Sequence, residues 1–569
     1  MSTASVQRAL RRTIRRGAGV ACLLVLLAPA LAYGQELVIP GDTEAFLNDI
    51  IMNDTERTAD RVYVLERGGI YLLAGSITND FPLRIRGQEG EGQLPVIYNY
   101  ANPETGTAPG NMIVMQEHVW LENLVMVAYL EGVEGEIDNM AASMVRVGAP
   151  GFDLAMDNVV MSQNRGQFVR TESAARTVKI TNSIFANSGY LGLTNLGAGK
   201  AVDLRAGSID TLLMVNNTFV NFQDRIVRHY RSTAALNHLI FDHNTIINHM
   251  GYHGVLALGL TGERVQVTNN LFVDGFALGA DSTDAVRQAE FDEHGERYPS
   301  GTARMAWIFN QPVDSLETEW VVSNNFYTVT PEGQAFFDRY EPAQGLYGEG
   351  APLTWHINRH LDADSVNAFT KIDLELADTP ELMVTMMEWY RTPKEQGGAG
   401  RTKDTDTFDP TRHDWDRRGW EYFITGFDAS YPSASPAYTG ATGGYPAGDL
   451  NWFPDRKADW EEDTSIDVER VSAEIPGAYR LEQNYPNPFN PSTSITYALP
   501  QQTVVSLAVY NALGQEVARL VSEQAQAAGH YTATWNGTDH AGRMLPTGIY
   551  FYQLRAGEVV LTRKMVFVK

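Results

Sequence analysis

Four arginines each sit in or directly after an apolar phrase: Met144-Val145-Arg146-Val147, Phe168-Val169-Arg170-Thr171, Asp203-Leu204-Arg205-Ala206 and Ile226-Val227-Arg228-His229. If each phrase is a strand whose Val or Leu points inward, the period of two sends the following residue outward. Arg146, Arg170, Arg205 and Arg228 then stack on one face. Their planar forks pair two-pronged with carboxylate or sulfate, so a column of them suits an anionic ligand. Like charges on adjacent strands repel, and the column needs either that ligand or carboxylates of its own. Asp203, Glu172 and Asp224 lie close in sequence, and a salt-bridged face built with them is the alternative reading.

Beside this column lies a histidine cluster. Five of the twelve histidines, His229, His238, His243, His249 and His253, fall within 25 residues, next to Tyr230, Arg231 and Tyr252. Imidazole is a competent base near neutral pH, and a phenol can return the proton. His229 and His253 fall beside the arginines on adjacent repeats, whereas His243 precedes an asparagine that marks a turn. Lys200, His229, Tyr230 and His253 are therefore the candidates for proton transfer. Their spacing matches no zinc pattern, and no metal ligand is assigned.

These side chains are positioned by a repeat. An apolar-x-apolar-x phrase followed by Asn and two further apolar residues recurs with its marker at Asn123, Asn158, Asn182, Asn217, Asn244, Asn270 and Asn325, at separations of 35, 24, 35, 27, 26 and 55 residues. Runs of four to six residues with period two indicate strands, not helices. A self-similar unit of this length indicates a solenoid. Asn suits the corners, because it tolerates left-handed backbone and bonds to its own backbone. With coils about 4.8 Å apart, equivalent asparagines form a ladder. The fold class expected is all-β, a right-handed parallel β-helix followed by a small immunoglobulin-like β-sandwich.

The 569 residues allow two or three domains. Residues 1–32 carry five arginines, an apolar run from Ala18 to Leu31 and the small-residue end Ala30-Leu31-Ala32, the pattern of a secretory signal peptide. No later stretch is long and apolar enough to span a membrane. The single cysteine, Cys22, lies inside that leader, so the mature chain forms no disulfide and has no thiolate ligand or nucleophile. Loss of the leader leaves 39 basic against 69 acidic residues, a net charge of −30, which argues against nucleic-acid binding. The solenoid is expected over residues 36–455, interrupted by an acidic loop at 281–306 that includes Asp281, Asp284 and Glu290. A helix is expected near 380–390, with Thr379 as N-cap and Pro380 at its first position. Tyr431 to Trp452 is read as the last coil, and 456–478 as a charged linker.

Residues 479–569 form a separate module. They contain Leu481-Glu482-Gln483-Asn484-Tyr485-Pro486-Asn487-Pro488-Phe489-Asn490-Pro491, Val509-Tyr510-Asn511-Ala512-Leu513-Gly514-Gln515-Glu516, Thr547-Gly548-Ile549-Tyr550 and a closing Lys564-Met565-Val566-Phe567-Val568-Lys569. These phrases resemble the type A C-terminal sorting domain of the bacterial type IX secretion system. The resemblance implies a β-sandwich and export across the outer membrane of a Bacteroidetes-like bacterium. It also implies removal of the module on release or surface attachment. Alternating strands broken at Asn536-Gly537 and Ala541-Gly542 lead to a sandwich independently.

Arg61-Val62-Tyr63-Val64-Leu65-Glu66-Arg67-Gly68-Gly69-Ile70-Tyr71 and Phe81-Pro82-Leu83-Arg84-Ile85-Arg86-Gly87 resemble the opening coils of pectin-lyase-like proteins. In that family, glycosidases of the polygalacturonase type carry an Asp-Asp pair that is absent here. Pectate-lyase-like members set a basic residue near the sugar C5 proton and neutralise the uronate with calcium or Arg, which stabilises the developing enolate. Ile240-Phe241-Asp242-His243-Asn244-Thr245 is similar to their Trp-Ile-Asp-His phrase. The resemblance thus implies a polysaccharide lyase acting by β-elimination on an extracellular acidic polysaccharide. Arg146, Arg170, Arg205 and Arg228 would hold substrate, and calcium is the one cofactor it would suit. A non-catalytic glycan-binding or surface scaffold protein is the alternative. The expected partners are the glycan and, through 479–569, the secretion machinery, with the protein itself a monomer.

Overall fold

The computed structural model describes residues 36–128, 141–189, 199–229, 234–251, 254–275, 277, 308–309, 318–339, 368–398, 427–464, 469–472 and, apart from short segments, 479–568. The acidic loop at 281–306 lies outside the described residues. The chain divides into two compact units, Met1–Arg456 and Lys457–Lys569.

The first unit is a right-handed parallel β-helix with three faces. Strands such as Ala175–Thr181, Ile209–Val215, Leu236–Asp242 and Thr261–Thr268 build the first face. Ile184–Ser188, Thr218–Phe222, Thr245–His249 and Leu271–Val273 build the second. Ser143–Val147, Gln167–Thr171, Lys200–Leu204, Val227–Arg228 and Leu256–Ala257 lie on the third. Each pairs in parallel with its equivalent one coil away. The hand is the one right-twisted strands favour in parallel crossovers. Alternation fills the interior: on Ile209–Val215, Ile209, Leu212 and Met214 are buried while Asp210 is exposed. Inside, Phe219 stacks between Phe185 and Phe241 at 5.5 and 6.1 Å.

Two residues carry the chain from the first face to the second. The outer one adopts left-handed backbone, with φ between 50° and 60° at Asn123, Asn158, Asn182, Asn216, His243, Asn269 and Asn324. The inner one is buried and, in the later coils, is also Asn. Asn217 Nδ2 donates to Asn244 Oδ1 at 3.0 Å, Asn244 Nδ2 to Asn270 Oδ1 at 3.1 Å, and Asn270 Nδ2 to Asn325 Oδ1 at 2.8 Å. Their second amide hydrogens go to Ile180 O, Met214 O and Phe241 O. The marker asparagines therefore belong to two columns. Asn123, Asn158 and Asn182 are outer residues, and the partner of Asn217 one coil earlier is Ser183, whose N–H donates to Asn217 Oδ1 at 3.0 Å.

The second face ends in another left-handed column, which the marker phrase does not include: Gln163, Asn187, Asn221, Asn248 and Asp274. Asn221 donates to Asn187 at 2.9 Å and Asn248 to Asn221 at 3.2 Å. Both ends of the solenoid are covered. At the start, helix α1 (Leu47–Met52) buries Leu47 and Ile51. At the other end, α2 (Pro331–Arg339) and α3 (Val384–Arg391) add Phe336, Met386 and Trp389 to the core. Thr330, just before α2, donates to buried Asp274 through N and Oγ1 at 3.0 and 2.6 Å. Helix α3 opens after Met383 and not at Pro380, where Asn248 Nδ2 engages the carbonyls of Pro380 and Glu381 at 2.7 and 3.0 Å.

Residues 431–456 do not form a coil. They run along the outside of the second face as short 3-10 turns, Pro436–Thr439, Thr442–Gly444 and Leu450–Trp452. Asn269 Oδ1 accepts from Thr442 N at 2.9 Å, Thr218 Oγ1 donates to Asp449 Oδ2 at 2.8 Å, and Asn451 Nδ2 donates to Asn216 O at 3.0 Å. Pro and Gly every few residues deny this strap a strand ladder, so it bonds to several coils one point at a time.

The expected linker at 456–478 instead overlaps α4 (Pro454–Thr464) and includes Glu469–Ser472, a strand of the sandwich that pairs with Gly529–Trp535. The second unit is an all-β sandwich of two four-stranded antiparallel sheets around Leu507, Trp535, Tyr552 and Phe567. Gly537 takes φ 67° at the Asn536-Gly537 turn.

Because Asn244 is buried with both amide groups bonded to neighbouring coils, Asn244→Ala should cost on the order of 2–4 kcal/mol in denaturant unfolding. Asn158→Gly, at an exposed left-handed position, should cost less than about 1 kcal/mol. Equal losses would contradict the two-column corner.

Candidate functional site

The third face places Val114, Arg146, Arg170, Asp203, Arg228 and Ala257 in one column. Arg205 is not in it: it falls two residues later, past the end of Lys200–Leu204, and is exposed. The register starts at Lys200, which pairs with Gln167 so that Val202 and not Leu204 matches Val169. The insertion before Lys200 conceals that start in the sequence. Three arginines and one aspartate therefore line the column. A carboxylate between two of the arginines removes the repulsion that four in a row would carry.

Those carboxylates are engaged. Arg228 donates from Nε and Nη2 to Asp203 Oδ1 and Oδ2 at 2.5 and 2.8 Å, a buried two-pronged pair. Arg170 Nε lies 2.6 Å from Glu172 Oε1, with both side chains partly exposed. Lys200 Nζ lies 2.8 Å from Asp224 Oδ2, and Arg225 Nε lies 3.6 Å from Asp224 Oδ1. Lys200, Asp203, Asp224, Arg225 and Arg228 are all under 10 % exposed. The salt-bridged alternative thus describes the arrangement found, with the Asp203 and Asp224 pairs buried and the Glu172 pair at the surface of the third face. Arg225 is the member that sequence reasoning missed, because it precedes the strand phrase.

Burial also sets protonation. It pulls the Lys200 ammonium down to about 8, against the opposing pull of Asp224. His229 is fully buried, its Nε2 lies 2.9 Å from Leu260 O, and burial pushes it down to about 4. His249, at the inner end of the second face, is lowered to about 4 for the same reason. Both are neutral imidazoles at pH 7. His243 is a corner residue with φ 50°, its Nδ1 2.8 Å from Asp242 Oδ2. His238 faces Glu263 at 3.6 Å on the first face. Tyr230 and His253 lie outside the described residues. Among the described residues, no group of three or more His, Cys, Asp or Glu is placed to hold a metal ion.

Lys200 and His229 are thus both buried. Arg146 and Arg170, in register on adjacent strands and partly exposed, are the cations of the column that face outward.

Residues 490–558 match the family model of the FlgD Ig-like domain. No curated protein matches the chain. Three solved structures share small parts of it. The dimeric latent PorU of Porphyromonas gingivalis is 18 % identical over 17 % of this chain and 10 % of its own, with a TM-score of 0.15. PorZ, described as an essential surface component of the type IX secretion system of the same bacterium, is 15 % identical over 17 % of this chain and 12 % of its own, at 0.13. FlgD of P. aeruginosa is 20 % identical over 16 % of this chain and 74 % of its own, at 0.12. The matched part thus spans about a tenth of the PorU and PorZ chains.

His229 and His249 carry a pH signature. Their folded values lie below the ordinary histidine range, so their contribution to stability is complete above about pH 6.5 and is lost as the pH falls toward 4. Asp274, raised by burial to about 6, acts in the opposite sense and stabilises most below its ordinary value of 3.8. Urea unfolding of the double variant His229→Gln/His249→Gln should show a shallower loss between about pH 7 and about pH 4.5 than the parent. An unchanged slope would show that the two imidazoles are not sealed.

Proposed function

We propose that the chain is an exported surface protein of a Bacteroidetes-like bacterium. Residues 479–569 act as its type IX sorting module, and the β-helix binds extracellular acidic polysaccharide without cleaving it. The observation that carries the binding reading is the in-register pair Arg146 and Arg170, partly exposed on a chain of net charge −25. The two guanidiniums stand on strands about 4.8 Å apart: Arg146 can take a carboxylate of an extended polyuronate two-pronged, and Arg170, whose Nε faces Glu172, can take one through its remaining N–H groups. Strong overall acidity makes such a local cationic strip selective, since the rest of the surface repels the polymer.

The non-catalytic reading is supported by burial. Elimination needs a base within hydrogen-bond reach of the C5 proton, and Lys200 and His229 are closed off by their own coils. One observation favours a lyase nonetheless: a lysine lowered to about 8 is chemically apt as a base. A conformation that opened the third face would put it to use.

Residues 36–456 should bind polygalacturonate, alginate or a glycosaminoglycan, but not a neutral glucan, with an affinity that falls as salt rises. Arg146→Ala/Arg170→Ala should weaken that binding about tenfold or more. Ultraviolet-absorbing unsaturated ends, with or without calcium, would replace this reading by the lyase. Absence of binding to the whole panel would overturn both.

A further inference from the structure

The C-terminal module differs in charge from the chain that carries it. Residues 479–569 hold seven basic and five acidic side chains, a net charge of +2 within a chain of −25. Two of its arginines are held by carboxylates. Arg519 donates from Nε and Nη2 to Glu516 Oε1 and Oε2 at 2.9 and 2.6 Å, and Arg543 donates from the same atoms to Asp539 Oδ2 at 3.0 and 2.8 Å. Arg480 and Arg563 are both exposed, and among the described residues neither has a carboxylate partner.

These two arginines come together across the sandwich. Arg480–Leu481 is the edge strand of one sheet, and Val559–Phe567 is the edge strand of the other. Arg563 Nε donates to Leu481 O at 3.1 Å and ties the two edges together. Between them opens a cleft of about 400 Å³ lined by Tyr479, Arg480, Leu481, Leu561, Thr562 and Arg563, with no carboxylate among its described lining residues. A basic residue on an edge strand ordinarily guards that edge against pairing with another chain. That role needs no cavity and no second cation from the opposite sheet. Two guanidiniums bordering one concave space repel each other, and a dianion placed between them reverses the sign of the interaction. Leu481, buried, and Leu561, partly buried, give the cleft an apolar wall, and the Thr562 hydroxyl adds a neutral donor.

We propose that this cleft binds a phosphate monoester with an apolar body. The forks of Arg480 and Arg563 take the phosphate oxygens, and the body lies against Leu481 and Leu561. Arginine suits this group, because its planar donors match phosphate as they match carboxylate, and the ester carries close to two negative charges at neutral pH. The site lies wholly within the sandwich and does not depend on glycan binding by the β-helix.

The test is calorimetric titration of the full chain at about pH 7.5, where the ester is a dianion. The probes are phenyl phosphate, inorganic phosphate, which lacks the body, and benzoate, which has the same ring and a single charge. Phenyl phosphate should saturate one site, with the other two at least about tenfold weaker. Arg480→Gln and Arg563→Gln, each checked for native circular dichroism, should each weaken phenyl phosphate about tenfold or more. Co-sedimentation with phosphatidylcholine vesicles containing phosphatidate, against phosphatidylcholine alone, distinguishes the sources of the ester. Capture that both variants abolish would assign a lipid headgroup, and phenyl phosphate binding without capture would assign a soluble ester. Benzoate or inorganic phosphate binding as tightly as phenyl phosphate, an affinity unchanged in both variants, or no saturable binding of phenyl phosphate or the phosphatidate vesicles would overturn the proposal.

Discussion

The structure depends on how the chain turns between the first and second faces. The turn uses two residues, one left-handed and outside, one buried and polar. The buried position is demanding, because an interior amide must find partners for both its donors and its acceptor. Asn244 meets the condition only when Asn217 and Asn270 stand directly beside it in the neighbouring coils. The asparagines thus fix how the coils align. That alignment sets the register of the third face, where Asp203 meets Arg228 and Lys200 lies beside Asp224. A displacement of one residue would separate both pairs and leave charges unpaired in the core.

The solenoid was legible in the sequence because a period of two, repeated between Asn corners, has no other compact solution. Placement within it was less legible. Asn182 and Asn217 look alike in sequence but occupy different columns, since the run Asn216-Asn217 offers both corner residues and a lone Asn does not say which one it is. Arg205 was displaced by the same kind of slip. Leu204-Arg205 imitates the Val-Arg phrases, and only the pairing of Lys200 with Gln167 shows that Asp203 belongs in the column. The strap over the second face carries no periodicity, and its bonds to Thr218, Asn216 and Asn269 span more than 170 residues of chain. The start of α3 was shifted by an equally remote partner, Asn248.

The candidate chemistry changes character once burial is known. In sequence, Lys200, His229 and the arginines form a reactive strip. In the fold Lys200 and Arg228 pair with Asp224 and Asp203 inside the third face, and the outward cations reduce to Arg146, Arg170 and the displaced Arg205. Burial lowers His229 and His249, and burial with the neighbouring Arg228 and Arg225 lowers Lys200, so a shifted pKa here marks a sealed corner as readily as an active site. The lyase and scaffold readings therefore differ over access, not over which residues are present.

The most direct measurement is amine labelling of the native chain with a small acetylating reagent, followed site by site by mass spectrometry. Lys179, exposed on the first face, should react readily, whereas Lys200 should stay unmodified until the solenoid unfolds. Labelling of Lys200 at a rate comparable to Lys179 under native conditions would contradict the sealed corner, and with it the claim that Lys200 is closed to polymer.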